Sequence, residues 1–527
     1  MATSTPSFEP VPVASGTSEL GGKIKIWQRV LIPSFSDCVF IALLAWLFVC
    51  GAYGWKALLM DADTGWHIRT GQYILEHHAV PKQDLFSFSR PGAAWFAWEW
   101  LSDVLFAVLF GAGGLKAIVL WAGVVITACA TIILRYSIWR GANPLLATFT
   151  TLLAVGSSSM HFLARPHLFT LILFPVSIWM IEADRRKPSR WIWILIPLGA
   201  VWINLHGGYF LFLAILALLA AGTFIEEWQA GRRWIRSGRY LVLFAGCAAA
   251  SLVNPYGIAL HAHVFEYLRS DWIRNLIQEF QAPTFRTEGQ LQLEALLLMG
   301  LVVTGLLLQR KQVTHALWLV FLAHSSLISV RHAPIYAAVA APLIAESASG
   351  WWRSWAGSQR RTSVARIVHQ VGEDLIPAFG RATFWPAAVV LTLALVNAPV
   401  KWPTDFPSEA FPTAMVGQNA QMLQSGRVLT TDQWADYLIY RFYPRQRVFV
   451  DGRSDFYGET LGNEYLHLLQ GAYDWRGILR RHGFEVALLP ANWPLAEILK
   501  LDQDWQVVQH DSQAILFRRR SGQTLGH

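Results

Sequence analysis

Charge is scarce in this chain. Only 15% of its 527 residues are Asp, Glu, Lys or Arg, while 54% are hydrophobic. Soluble chains carry about a quarter charged residues. With a mean hydropathy of +0.34, this balance excludes an ordinary water-soluble enzyme and points to an integral membrane protein. Cysteine is nearly absent. Cys38, Cys50, Cys129 and Cys247 all lie within apolar runs, where a thiol behaves as a small buried hydrophobe, so neither a disulfide framework nor a cysteine zinc site is expected. There is no Walker A loop, no GxGxxG after a strand, no GxSxG, no HExxH and no CxxC. Transport driven by the chain's own P-loop ATPase is therefore without support. The net charge of +8 reads as loop charge set by topology, and no nucleic-acid partner is expected.

What the chain does have is apolar runs, at 38–60, 115–134, 144–160, 168–181, 191–203, 209–224, 240–253, 291–308, 316–330, 334–344 and 384–396. They predict a polytopic α-helical membrane protein of about 11 spans, several of them shorter than the ~20 residues of an isolated span. The first 22 residues are polar and rich in Ser, Thr and Pro. They read as disordered, lie too far ahead of the first run for a typical signal peptide, and leave that run as an uncleaved anchor. The expected organisation is a disordered cytoplasmic N-terminus (1–36), a transmembrane domain (37–400, first outer loop 61–99) and an extracytoplasmic C-terminal α/β domain (401–527).

Counting spans forward, the basic clusters fall on the side of Lys23, Lys25 and Arg29. They are Arg135 and Arg140, Arg185 to Arg190, Arg232 to Arg239, Arg310 and Lys311, and Arg353 to Arg366. By the positive-inside rule that side is the cytoplasm. The opposite face collects Asp61, Asp63, His67, Glu99, Asp103, His161, Arg165, His167, Asn204, His206, Asn254, Tyr256, Glu279, Arg331 and His332. Carboxylates at a span mouth must stay hydrated, meet cations or line a polar cavity, so this face is the expected site.

Asp61-Ala-Asp63 directly follows the first run, where it can supply a base or a metal site. Residues 65–78 read as a short interfacial helix. Residues 95–103 read as the start of a second, with Glu99 and Asp103 four apart on one face. Arg165 precedes a proline and is biased out of helix, free to aim at a phosphate or to snorkel to headgroups. Asn204-Leu-His206-Gly-Gly breaks a span. Its glycines permit close backbone approach to a helix or ligand. Arg331, backed by His332 at a span exit, suits a lipid-linked phosphate or a lipid headgroup. His261 and His263 form only a weak metal motif. Beyond residue 401, strands at 426–431, 447–450, 485–489 and 514–517 alternate with helices at 433–442 and 473–481. Asp451-Gly-Arg453 follows a strand, as a ligand loop or an ion pair bracing a turn.

Asp61 to His67, Asn204 to Gly208, Asn254-Pro-Tyr-Gly257 and Asp451-Gly-Arg453, taken in that order over residues 37 to 520, resemble the GT-C superfamily of membrane glycosyltransferases. They are most similar to uncharacterised bacterial GT-C-like membrane proteins, although Gly65 replaces the first tryptophan of their Trp-Trp-His pattern. The resemblance implies a GT-C-like fold in a bacterial cytoplasmic (inner) membrane. It also implies transfer of a sugar from a polyprenyl-phosphate-linked donor to an extracytoplasmic acceptor, whether glycan, lipid or protein, among membrane lipids. The resemblance puts the base on Asp63, with Asp61 as helper or second ligand. From the residues themselves Glu99 joins the catalytic set, and His67, His161, Arg165, His167, Asn204, His206, Arg331 and His332 are the expected binding set. A Mg²⁺ or Mn²⁺ ion on Asp61 and Asp63 is the cofactor expectation. The alternatives are a non-catalytic carrier-lipid-binding or assembly subunit of the same fold, and a secondary transporter. A transporter of this kind is marked by paired broken spans, and 204–208 has no partner in the other half.

Overall fold

The computed structural model describes residues 31–50, 54–379, 383–397 and 400–520. The N-terminal segment read as disordered falls largely outside them, up to residue 30, as do Lys23, Lys25 and Arg29.

Helices α1 (Phe35–Ala45), α2 (Asp63–His77), α3 (Trp100–Arg140), α4 (Pro144–Ser157), α5 (His167–Arg186), α6 (Leu195–Leu205) and α7 (Tyr209–Gln229) come first. Then follow α8 (Ile235–Ala250), α9 (Ile258–Arg269), α10 (Glu288–Gln309), α11 (Val313–Ile328), α12 (Ala333–Ser358), α13 (Val364–Phe379) and α14 (Trp385–Leu395). Among the described residues, only α3, α5, α7 and α10 are both long and apolar enough to cross a membrane. This corrects the expected count of about 11 spans. Most of the other apolar runs lie in shorter helices, and α12, 26 residues long, is not apolar enough. The first run leaves the α-helix at Ala45, continues as a π turn over Trp46–Cys50, and resumes as a 3-10 turn over Gly54–Leu59. The run at 144–160 is capped at its start by Asn143, whose side chain accepts the Leu145 N–H, and its α-helix ends at Ser157. The 14 residues of α4 reach about 21 Å at 1.5 Å per residue.

The expected second interfacial helix is corrected too. Residues 95–98 are not helical, and Glu99 is the N-cap of α3, with Asp103 in its first turn. That helix is bent at Gly114, whose φ of 62° lies in the left-handed region open to glycine. The long loop after Asn254 is not bare, for it holds α9 and two short turns over Asp271–Leu276 and Gln278–Phe280. Of the three cysteines whose side chains are described, all free, Cys38 is exposed, Cys129 half-buried and Cys247 buried.

The C-terminal region is built on β1 (Val428–Leu429), α15 (Asp432–Phe442), α16 (Ser454–Gln470), α17 (Trp475–His482), β2 (Val486–Pro490), α18 (Pro494–Leu501), β3 (Trp505–His510) and β4 (Ala514–Arg519). The sheet order is β1-β2-β4-β3. β1 runs parallel to β2 with Val428 opposite Val486, and β4 runs antiparallel to both β2 and β3. The segment expected as a strand at 447–450 does not join this sheet. Val448 instead bridges Ser87 of the first outer loop, with Phe88 N–H donating to Val448 O and Val448 N–H to Phe86 O, both at 2.9 Å. The first loop and the C-terminal region are thus stitched through their backbones.

Arg453 completes the stitch. It donates to Asp451 at 2.6 and 2.8 Å and to Asp84 at 2.7 Å, and it lies over the rings of Phe86 and Trp95. A buried charge is tolerable only when partnered in this way. The Asp-Gly-Arg segment is therefore an internal brace.

Candidate active site

A cavity of about 1150 Å³ opens where α2, the first turns of α3, α5 and α7, and the segment before α12 meet the C-terminal region. Asp61, Asp63, His67, Glu99, His161, Arg165, His167, His206, Arg331 and His332 all line it. Asn204 does not. Its side chain accepts from Trp100 Nε1 at 2.6 Å and donates to the carbonyls of Ala200 and Val253, which makes it a strut between helices.

Arg165 sits among three carboxylates. Its Nη1 lies 2.8 Å from Asp61 Oδ2 and 3.3 Å from Glu279 Oε1, and its Nη2 lies 2.7 Å from Asp63 Oδ2. Local backbone contacts fix this arrangement. Asp61 Oδ1 accepts the Asp63 N–H at 2.9 Å, turning the chain into α2. Ala164 N–H donates to Leu58 O, and Thr64 Oγ1 donates to Ala164 O, each at 2.8 Å. Glu279 is carried in by the long loop, whose backbone is tied to the strap before Arg331 by Ser329 Oγ donating to Glu279 O at 2.9 Å. Burial pushes the Glu279 carboxyl up, but Arg165 and Arg331 outweigh it and hold it down at about 2.

Asp63 is also the point where the C-terminal region touches the site. Its Oδ1 has no hydrogen-bond donor and faces the carboxyl of Asp436 on α15. Burial pushes Asp63 up to about 8 against the pull of Arg165, and burial raises Asp436 well above the carboxylate range, with Asp63 adding to the effect. Two adjoining buried carboxyls do not both ionise, so this pair keeps a proton at neutral pH. Gly452 N–H donates to Asp436 at 3.1 Å. A Cβ at Gly452 would collide with Asp63 Oδ1 and Asp436 Oδ2, so only glycine fits.

Glu99 is set differently. Its oxygens lie 3.8 Å from His67 Nε2 and 3.7 Å from His206 Nε2, beyond hydrogen-bond distance. Burial pushes it up to about 7, although Arg165 and Arg331 draw it down. His67 is anchored from below by Asp103, with Nδ1 and Oδ1 2.6 Å apart. Burial holds it neutral, well below the usual histidine range. The Nδ1 of His206 accepts the Gly208 N–H at 3.0 Å and faces Thr170 Oγ1 at 2.8 Å. A nitrogen that accepts a backbone N–H carries no proton, so the neutral ring's hydrogen sits on Nε2, aimed at Glu99.

The other histidines are hydrogen-bonders rather than cations. His161 Nε2 points at Val330 O, His167 Nε2 at His161 O and His332 Nδ1 at Ser325 O, at 3.4, 2.6 and 3.2 Å. Burial lowers His161, and it lowers His332 to about 4. Arg331 stands out from them. Its guanidinium lies 4.7 Å over the Phe280 ring, and the Tyr267 hydroxyl is a neighbour. Among the described residues no carboxylate oxygen comes within 4.0 Å of it.

The sequence points to most of this lining but passes over Glu279 and Asp103 as site residues, and over Asp436, Gly452 and Tyr267. Glu279 and Asp103 were legible as outer-face acids. Asp436 has no local signal, because the Asp63 carboxyl it faces lies far upstream in the chain. Asp61, Asp63 and Glu279 have the oxygen chemistry that Mg²⁺ or Mn²⁺ takes. Among the described residues, however, no group of three His, Cys, Asp or Glu side chains is arranged to hold a metal ion.

No family model matches this sequence, and no curated protein does. Solved structures of similar fold include two of an archaeal oligosaccharyltransferase. One is the apo form of the Archaeoglobus fulgidus oligosaccharyltransferase, with a TM-score of 0.55 and 10% identity over 86% of this chain and 68% of that one. The other is the archaeal oligosaccharyltransferase AglB from Archaeoglobus fulgidus in complex with an inhibitory peptide and a dolichol-phosphate, with the same TM-score and identity, over 86% of this chain and 69% of that one. The fold of this chain is similar to that of these two oligosaccharyltransferase structures.

Proposed function

We propose that the protein is a membrane glycosyltransferase that moves a sugar from a polyprenyl-phosphate-linked donor to an acceptor hydroxyl or amide. The observation that carries this reading is Arg331, a half-buried guanidinium facing the cavity with no carboxylate on it among the described residues. A cation so placed favours an anionic ligand. The first turns of α3, α5 and α7 border the same cavity, and helix N-termini attract negative charge. The structurally similar AglB has been captured with a dolichol-phosphate, a ligand of the chemistry proposed here.

In this reading Glu99 is the proton acceptor. It takes the acceptor's proton as the acceptor atom bonds to the anomeric carbon. The bond from that carbon to the phosphate oxygen breaks, and the phosphate leaves onto Arg331. Inversion follows from a single displacement. Asp63, the base expected from the sequence, has Oδ2 on Arg165 and Oδ1 against Asp436. It serves here as a positioning residue, together with Asp61. Arg165, bound to three carboxylates, is not the phosphate ligand.

The proposed orientation puts the cavity outside and the arginine-rich ends of α3 and α5, at Arg140, Arg185 and Arg186, in the cytoplasm of a bacterial inner membrane. The domain limits 37–400 and 401–527 belong to the same proposal. The binding half of the reading is tested by mass spectrometry of lipids copurifying with the wild type and with Arg331→Ala. A polyprenyl phosphate, free or glycosylated, should appear in the first and vanish from the second. Bulk phospholipid alone in both would refute it. The non-catalytic subunit reading draws on the engagement of both Asp63 oxygens. It predicts that Glu99→Gln retains lipid and changes no glycosylated product.

A further inference from the structure

We propose that the Arg165 guanidinium is the resident cation of the cavity, held by Asp61, Asp63 and Glu279 where a divalent ion would need to sit, so that the site takes up neither Mg²⁺ nor Mn²⁺. This goes beyond the transfer reading and stands or falls without it.

A hard divalent cation needs carboxylate oxygens gathered at about 2.0–2.6 Å around one point. The three acids that could gather each have an oxygen on the arginine, at 2.8, 2.7 and 3.3 Å. A planar five-donor fork can satisfy several carboxylates at once, which an ammonium cannot do in the same way. The fork is also immobile at its root. Pro166 follows Arg165, and the residue before it is pinned on both backbone groups by Leu58 and Thr64. No histidine nitrogen lies within 4.0 Å of Asp61, Asp63 or Glu279 among the described residues, so no imidazole stands ready to complete a metal's sphere. For an ion to enter, Arg165 would have to leave three partners and take its charge into a site only 24% exposed at that side chain, at the high cost of an unpaired buried cation. Removing the arginine reverses the situation, leaving three neighbouring carboxylates without the cation they share.

The test is Mn²⁺ uptake by the full chain in detergent, read by electron paramagnetic resonance and metal content after gel filtration, with thermal unfolding alongside. The wild type should retain no stoichiometric Mn²⁺, and its Tm should not move with Mn²⁺ or EDTA. Arg165→Gln should gain a single equivalent of Mn²⁺, and its Tm should rise when Mn²⁺ is added. Arg165→Lys keeps a charge in place and should stay metal-free, which guards against a Gln variant that fails to fold. The proposal is overturned if the wild type holds a Mn²⁺ that Asp61→Asn releases, or if folded Arg165→Gln takes up none. Neither outcome depends on transferase activity, so failure here is separable from failure of the transfer reading.

Discussion

Two clusters of buried charge sit at opposite ends of the same helices. At the far end, Arg140 bonds Glu182 and Glu346 at 2.5 and 2.6 Å, His315 meets Glu182 at 3.0 Å, and Arg185 reaches Glu226 at 3.1 Å. Each of these guanidinium groups has a carboxylate. At the cavity end, among the described residues, Arg331 has no carboxylate oxygen within 4.0 Å and Glu99 has no charged partner nearer than 3.7 Å. His167 and Glu182 mark the two ends of α5, about 22 Å apart at 1.5 Å per residue. Burial alone therefore does not distinguish a site from a brace. The distinction lies in pairing. The far cluster is closed on itself, while the cavity cluster leaves one cation and one carboxylate open to a ligand.

The sharpest way to break this comparison is Glu99→Gln. Transfer should fall by about 10²–10⁴-fold, the usual contribution of a positioned base, measured as initial rate at saturating donor. The wild-type rate should rise as pH passes about 7, where Glu99 loses its proton. The same shift carries a stability signature. The folded-state value lies above the ordinary 4.5, so ionisation disfavours the folded state increasingly as pH rises from near 4.5 to near 7, after which the cost levels off. Glu99→Gln should therefore gain Tm relative to the wild type at pH 8 and not at pH 4. An inactive variant that is no more stable at pH 8 would count against an open carboxylate.

Glu182→Gln attacks the closed cluster. It takes one of the two carboxylates from Arg140, leaving Glu346, and should cost about 1–3 kcal/mol of stability, seen as lost denaturant midpoint, while the rate per folded molecule holds. A proportionate loss of rate would show that the far cluster also serves chemistry. Arg331→Ala removes charge-assisted hydrogen bonds worth about 1.5–3 kcal/mol. Affinity for a polyprenyl phosphate, read by titration, should drop about 10- to 150-fold. The smallest effect belongs to the exposed pair Lys500–Glu497. Lys500→Ala should change stability by less than about 1 kcal/mol and leave lipid binding alone.

The positions of Asp61, Asp63, His67 and Arg165 were legible because each follows a local rule. Acids at the end of an apolar run and an arginine before a proline announce polar backbone beside a hydrophobic slab. The division of labour between the two arginines was not legible. Glu279, which helps to saturate Arg165, lies 114 residues downstream of it, and no periodicity couples the two. The span count failed for a related reason, since hydropathy registers apolar content but not where caps and π turns end a helix. Residues 447–450 have the composition of a strand and do pair. Their partner is the first outer loop, a choice made by packing at long range.

The seam between that loop and the C-terminal region bears on how the protein matures. Asp63 faces Asp436, Arg453 grips Asp84, and Asp455, Tyr465 and Trp493 help wall the cavity. A ribosome that has released only the helices has made a chain whose reaction chamber still lacks a side. Under the proposed function, a product stopped before residue 401 would hold the helices without the wall that the transfer step needs.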